Sequence, residues 1–200
     1  MKKNLFRILS LVLCLSLVFG GSALSTSAAD VATGTDASAV TEDAAPFRIS
    51  VVVNGDTPTS KGITWYTKTN TSSVVNVFDE SGAKVKVSVE YADVIEFEGN
   101  YVHKATVSGL AAGKTYSYEV GNGTVFSAAG TFITDNGDSK VDFITVADIQ
   151  ASNLENFLSG ARTVNSAFDT MPTAEFMVNL GDFTNDSTNE EWDLYDEAMK

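Results

Sequence analysis

The chain has 200 residues, 44% of them hydrophobic and 20% charged, with 15 glycines and 3 prolines. That excludes a collagen-like or wholly disordered chain and leaves room for one full domain and part of another. The net charge of −13 argues against nucleic acid as a partner, because that affinity comes from Lys and Arg neutralising phosphates. Phosphate would have to be met through a cation.

The chain opens on a targeting pattern. Lys2, Lys3 and Arg7 precede an apolar run from Ile8 to Phe19, and small residues up to Ala29 precede the first acid, Asp30. This predicts a signal peptide over residues 1–29, cleaved near Ala28 or Ala29, and a secreted, extracellular product that could associate with the cell surface. The run is shorter than the roughly 20 residues a spanning helix needs, and no other long apolar stretch follows, so no membrane span is expected. Cleavage would also remove Cys14, the only cysteine, so stability must come from core burial instead of disulfides. Residues 30–45 read DVATGTDASAVTEDAA, with no periodicity, and are expected to be a flexible acidic tether.

Residues 46–136 are rich in Val, Thr, Ser, Tyr and Phe, punctuated by turn residues. Strands are predicted over 47–54, 62–68, 73–79, 84–91, 101–108, 115–121 and 128–133. The alternation is plain in Lys84-Val85-Lys86-Val87-Ser88-Val89. Turns fall at Asn54-Gly55-Asp56, Glu80-Ser81-Gly82, Ala112-Gly113 and Asn122-Gly123. Some seven short strands at this spacing argue for an all-β antiparallel sandwich. Leu110 to Tyr116 resembles the stretch before a late strand in fibronectin type III domains, where a corner tyrosine ties back to upstream backbone. Trp65 stands where such domains keep their core tryptophan. His103, the only histidine, reads as a surface or edge-strand residue.

Residues 140–200 change pattern. Val141 to Ala147 reads as a strand buried on both faces, ending in Asp148-Ile149-Gln150. A helix is expected over 153–168, with Leu154, Phe157, Leu158, Ala161, Val164 and Phe168 at steps of three and four, broken by Pro172. Glu175 to Leu180 is a second strand, ending in Gly181-Asp182, and a second helix starts near Thr188 with acids in its first turn. Strand, helix, strand, helix implies a parallel βαβ unit.

Ligands of open α/β sheets gather beyond the carboxyl ends of the strands, where this chain places Asp148 and Asp182. Two adjacent carboxylates repel unless a cation joins them, and residues 141–200 hold 12 acids against two bases. The alternative is a pair of solvated loop acids. Asp182, Thr184, Asp186, Thr188, Glu190 and Asp193 also fall on the ligand positions of a calcium-loop template, although Ser187 stands where its turn glycine belongs.

A fibronectin-like sandwich, an Asp-x-Gln strand end and an Asn-Leu-Gly-Asp strand end together resemble the purple acid phosphatase group of metallophosphoesterases. The resemblance covers the chain after the tether. It implies that residues 140–200 begin an α/β metallophosphoesterase domain, in which Asp148 binds one metal ion and Asp182 bridges two. The ions would be divalent or trivalent Fe, Zn or Mn, and the substrate a phosphomonoester or related small molecule. Gln150 and Asn185 become metal-adjacent. Asn185 stands where purple enzymes carry the tyrosine that gives their colour, and Gln150 where many relatives have histidine or glycine. The family's later Gly-Asn-His and histidine motifs are absent from these 200 residues. The expectation is therefore an N-terminal fragment of a secreted phosphoric ester hydrolase, inactive alone, with no catalytic residue of its own identifiable. The competing expectation is a non-catalytic exported sandwich module, for binding or attachment, with an acidic tail.

Overall fold

A computed structural model describes residues 42–200, so the predicted signal peptide and most of the predicted tether lie outside the described residues. The end of the tether is seated, not loose. Ala44 is buried, and the Asp43 carbonyl accepts from the Lys68 amide at 2.9 Å.

Eight strands follow: β1 (Phe47–Val52), β2 (Ser60–Thr67), β3 (Val74–Phe78), β4 (Ser88–Tyr91), β5 (Ile95–Phe97), β6 (Asn100–Ser108), β7 (Thr115–Gly121) and β8 (Gly130–Ile133). One antiparallel sheet runs β1-β2-β6-β4 with β5 also on β6, and the other runs β3-β7-β8. Alternate residues of each sheet meet in one core. Ile63, Trp65 and Val107 come from the first sheet, and Val77, Tyr118 and Phe132 from the second. Burial of Trp65 is complete. The Tyr116 hydroxyl accepts from the Ala111 amide at 2.9 Å, the upward tie expected of a corner tyrosine.

Three expectations for the sandwich need correction. The strand predicted over 84–91 is a strand only from Ser88. Lys84 bridges to Phe78 and the Val85 amide donates to Val77, whereas Ser88 to Tyr91 pair with β6, so the segment crosses between sheets halfway along. Its alternation survives the crossing, and Val85, Val87 and Val89 all pack on the core. Strand β5 was not expected. Its three residues pair back on β6 through Glu98 and Gly99, both left-handed with φ of 50° and 73°, as a two-residue hairpin turn demands.

The third correction is His103. It lies on β6, paired with Trp65 of β2, and is fully buried. Its ring stacks on Trp65, centroids 5.1 Å apart and 8° from parallel. Thr67 Oγ1 lies 2.9 Å from Nε2 and Ser73 Oγ 2.9 Å from Nδ1. The Thr67 hydroxyl gives its one proton to the Thr69 carbonyl, at 2.7 Å, so it must accept from His103. Burial disfavours the charged ring; in the neutral ring the proton sits on Nε2 and Ser73 donates to Nδ1.

After residue 140 come β9 (Phe143–Val146), α1 (Leu154–Thr170), β10 (Phe176–Asn179) and α2 (Asn189–Ala198). Strands β9 and β10 pair in parallel, Phe143 opposite Phe176 and Val146 opposite Asn179. Asn153 caps α1 by accepting from the Asn156 amide at 3.0 Å, and the helix ends just before Pro172. Thr188 caps α2 by accepting from the Glu191 amide. The buried Glu191 carboxylate in turn accepts from the Asp186 amide at 2.8 Å, a variation on the capping box. The helices pack on each other through Phe157, Ala161 and Ala198.

The strand at 143–146 is not buried on both faces. Ile144 is buried, but Phe143 is 44% exposed and stacks on Phe176 with centroids 5.4 Å apart. Both helices contribute to one apolar cluster, and a two-stranded ribbon has no second layer among the described residues.

Desolvation lowers the His103 pKa below the ordinary imidazole value. Such a group stabilises the fold in full above its unfolded pKa of about 6.5, and that stability is lost as pH falls below it. Thermal unfolding followed from pH 7.5 to pH 5 should show an acid-side loss attributable to His103. The His103→Gln variant should start less stable but show a flatter profile; equal slopes would contradict the neutral buried imidazole.

Candidate metal centre

The two aspartates meet because the parallel ladder runs on past its strands. The Leu180 amide donates to the Val146 carbonyl at 2.8 Å, and the Asp148 amide to the Gly181 carbonyl at 3.3 Å. Both aspartates are left-handed, with φ of 57° at Asp148 and 54° at Asp182, while Gly181 sits at φ 134°. Only glycine accepts that last conformation without strain, and Asp tolerates the left-handed well better than most residues, at a cost of about 1–3 kcal/mol. Both side chains are exposed. Adjacent strand ends and matching turns therefore place the backbones of Asp148 and Asp182 next to each other.

The neighbouring polar atoms are unevenly satisfied. Asn179 Oδ1 accepts from the Gly181 amide at 3.0 Å and so braces the turn before Asp182. Its Nδ2 is buried without a partner, as is Gln150 Oε1. The Tyr195 phenol lies beside Asn179 without forming a well-aligned bond to that nitrogen. Burial pushes the Tyr195 pKa up; the Asn179 side chain opposes this, and Asp196 adds to it. Asn185 is exposed and makes no side-chain hydrogen bond. The structure therefore unites Asp148 with Asp182, keeps Gln150 two residues along the same loop, and leaves Asn185 in solvent.

Two exposed carboxylates and an unsatisfied amide oxygen form an all-oxygen donor set, suited to hard or borderline cations. The set fits a metal in kind but is short in number. Among the described residues no group of three His, Cys, Asp or Glu stands close enough to hold an ion. The calcium-loop spacing is not realised, since the Thr188 hydroxyl caps α2 and Asp193 is held by Arg48 at 2.7 Å.

Asn179 was not singled out from sequence as a site residue, although one polar residue closing the apolar strand Phe-Met-Val-Asn was the available signal. Arg48 gave no signal, because it sits in what reads as an ordinary strand. A register shift between Phe47 and Ser50 sets it at φ 47°. Its guanidinium donates to Asp193 Oδ1 at 2.7 and 3.2 Å, to the Asn189 carbonyl at 2.9 Å and to Asn189 Oδ1 at 3.2 Å.

Residues 46–134 match the family model for the purple acid phosphatase N-terminal domain. No curated protein matches the chain. Among solved structures, the three-domain ectodomain of mouse nectin-like molecule 4 aligns at 13% identity and TM-score 0.31, covering 46% of this chain and 34% of that one. Astrotactin-2, a vertebrate-specific protein, aligns at 7% identity and TM-score 0.34, covering 76% and 28% respectively. Amylomaltase from Corynebacterium glutamicum aligns at 12% identity and TM-score 0.28, covering 62% and 20%. The alignments span about a third or less of each of those chains.

The left-handed turns make a stability prediction. Asp148→Ala and Asp182→Ala should each cost about 1 kcal/mol, because alanine tolerates that backbone poorly. Asp→Gly at either position should stay within about 0.5 kcal/mol of the parent, its relieved strain offsetting the entropy of a freer unfolded chain. Denaturant unfolding of the four variants distinguishes these, and equal losses for Ala and Gly would show the backbone to be unstrained.

Proposed function

We propose that this chain, whose residues 46–134 are a purple acid phosphatase N-terminal domain, belongs to a secreted metal-dependent phosphoric ester hydrolase, with residues 140–200 opening the catalytic domain. The observation that carries the proposal is the pairing of Asp148 and Asp182 at the carboxyl ends of adjacent parallel strands, each in a left-handed turn. Asp148 would hold one ion, and Asp182 would be shared by both. Gln150, with its unpartnered oxygen, and Asn185 would flank the ions, and Asn179 holds the Gly181 turn that carries Asp182.

Bound there, Fe, Zn or Mn ions would offset the charge of a phosphoester and make water a nucleophile near neutral pH. The protein's part is to fix the two carboxylates side by side and to supply negative field for the cations. With 12 acids against two bases over residues 141–200, an anionic phosphate has no cationic side-chain cluster to meet. Two carboxylates cannot fill two coordination shells of four to six donors each. The proposal therefore requires ligands beyond these two carboxylates to complete the centre.

Secretion rests on the basic, apolar and small-residue order of residues 1–29. Among the described residues no helix is long and apolar enough to cross a membrane. The substrate class is a small phosphomonoester or a related ester.

The test is metal-dependent phosphate release from p-nitrophenyl phosphate by the native secreted product that carries this sequence. Asp182→Asn should lower turnover by a factor of about 1,000 or more without changing the unfolding midpoint, and chelation should do the same reversibly. Turnover retained in Asp182→Asn, or insensitive to chelation, would refute the assignment. With asparagine at 185, the active product should also show no visible charge-transfer band.

A further inference from the structure

A cavity of about 540 Å³ opens between the sandwich and helix α2; neither aspartate lines it, although Phe183, next in sequence to Asp182, does. That volume is typical of small-molecule sites, which favour junctions between layers and aromatic walls. Tyr66 and Phe97 come from the sandwich side, and Phe183, Trp192 and Tyr195 from the other. The last three form a ring triad with centroids 5.6–5.8 Å apart. Phe97 is 55% exposed, an arrangement that costs apolar hydration and has no structural need in a three-residue strand.

The backbone is also bent around this space. Arg48, Glu98 and Ser187 all line it, and all three are left-handed non-glycine residues. The charges at the wall are not balanced. The Arg48 guanidinium is taken up by Asp193 and Asn189. Among the described residues Glu98 forms no ion pair, and Asp196 pairs with Lys200 at 3.3 Å, a side chain 70% exposed. An anion would meet acids here, and a neutral apolar molecule would leave the Glu98 field unused. Aromatic faces beside one carboxylate, Glu98, that no described cation neutralises are the chemistry that holds alkylated ammonium ions.

We propose that this cavity binds a small organic cation of the quaternary ammonium class, with the rings of Trp192, Tyr195 and Phe97 against the alkyl groups and Glu98 supplying the counter-charge. The proposal does not rest on the phosphoesterase reading, and failure of either leaves the other standing.

Trp192 provides the readout. The chain has two tryptophans, and Trp65 is sealed in the sandwich core, so a cavity ligand changes Trp192 emission over a constant background. Choline should quench saturably, while its neutral isostere 3,3-dimethylbutanol should bind about tenfold or more weakly. Phe97→Ala and Glu98→Gln alter exposed side chains, and each should weaken choline about threefold or more, with the unfolding midpoint unchanged. Vesicles of phosphatidylcholine form a second arm. Quenching by free choline identifies a soluble ligand, and quenching by vesicles alone identifies a lipid headgroup. Equal binding of choline and its neutral isostere, or no saturation by choline or vesicles up to about 10 mM headgroup, would overturn the proposal.

Discussion

One arginine connects the described structure. Among the described residues, every side-chain hydrogen bond from residues 47–134 to residues 140–200 is made by Arg48, which reaches Asn189 and Asp193 on the first turns of α2. The charge pair by itself is worth little, since Asp193 is 62% exposed and surface pairs contribute about 0–1 kcal/mol. Its consequence is geometric. A planar guanidinium with four bonds to two residues fixes direction as well as distance, and the bulge in β1 re-aims a strand residue out of its pleat to make this possible. The helix so held carries Trp192 and Tyr195, and its cap follows the loop that begins at Asp182. The wall of the aromatic cavity and the position of the aspartate turn thus share one anchor.

The left-handed residues fall into two groups for different reasons. Arg48, Glu98 and Ser187 surround the cavity, while Asp148 and Asp182 end two strands. At the strand ends the strain has company: two like charges, a buried amide nitrogen on Asn179 and a buried amide oxygen on Gln150, neither with a partner. Each of these raises the energy of the folded chain without any gain from packing. Under the proposed function a cation would relieve the repulsion and could use the stranded oxygen, whereas the Asn179 nitrogen is a donor that only an acceptor can satisfy.

The sandwich was legible because its signals agree across levels. Alternation, turn residues and aromatic positions all pointed to one architecture, and Trp65 and Tyr116 lie as the pattern required. Errors came where a long-range event overrode local pattern. Nothing within Lys84 to Tyr91 marks the point where the chain leaves one sheet for the other, since the alternation is the same on both sides of the crossing. His103 looked superficial because a titratable side chain on a strand is usually solvated. Its burial depends on Thr67 and Ser73, 36 and 30 residues away, which no local reading can pair with it. At the candidate centre the two aspartates were readable from strand-end position, but Asn179 and Arg48 were not, since their roles come from a turn brace and a bulge.

The α/β half shows how much a parallel strand pair depends on its neighbours. Parallel sheets are ordinarily covered on both faces, yet here Phe143 and Phe176 find cover mainly in each other, and Leu180 is 69% exposed. The apolar run at 141–147 was composed for a two-sided environment, and half of that composition is left facing solvent. Stability in this half must then come mainly from the helix pair, with the ladder contributing only four residue pairs. The aspartates sit at the end of that short ladder. Their mutual placement is therefore set less by the sheet than by the turn hydrogen bonds at Gly181 and Asn179.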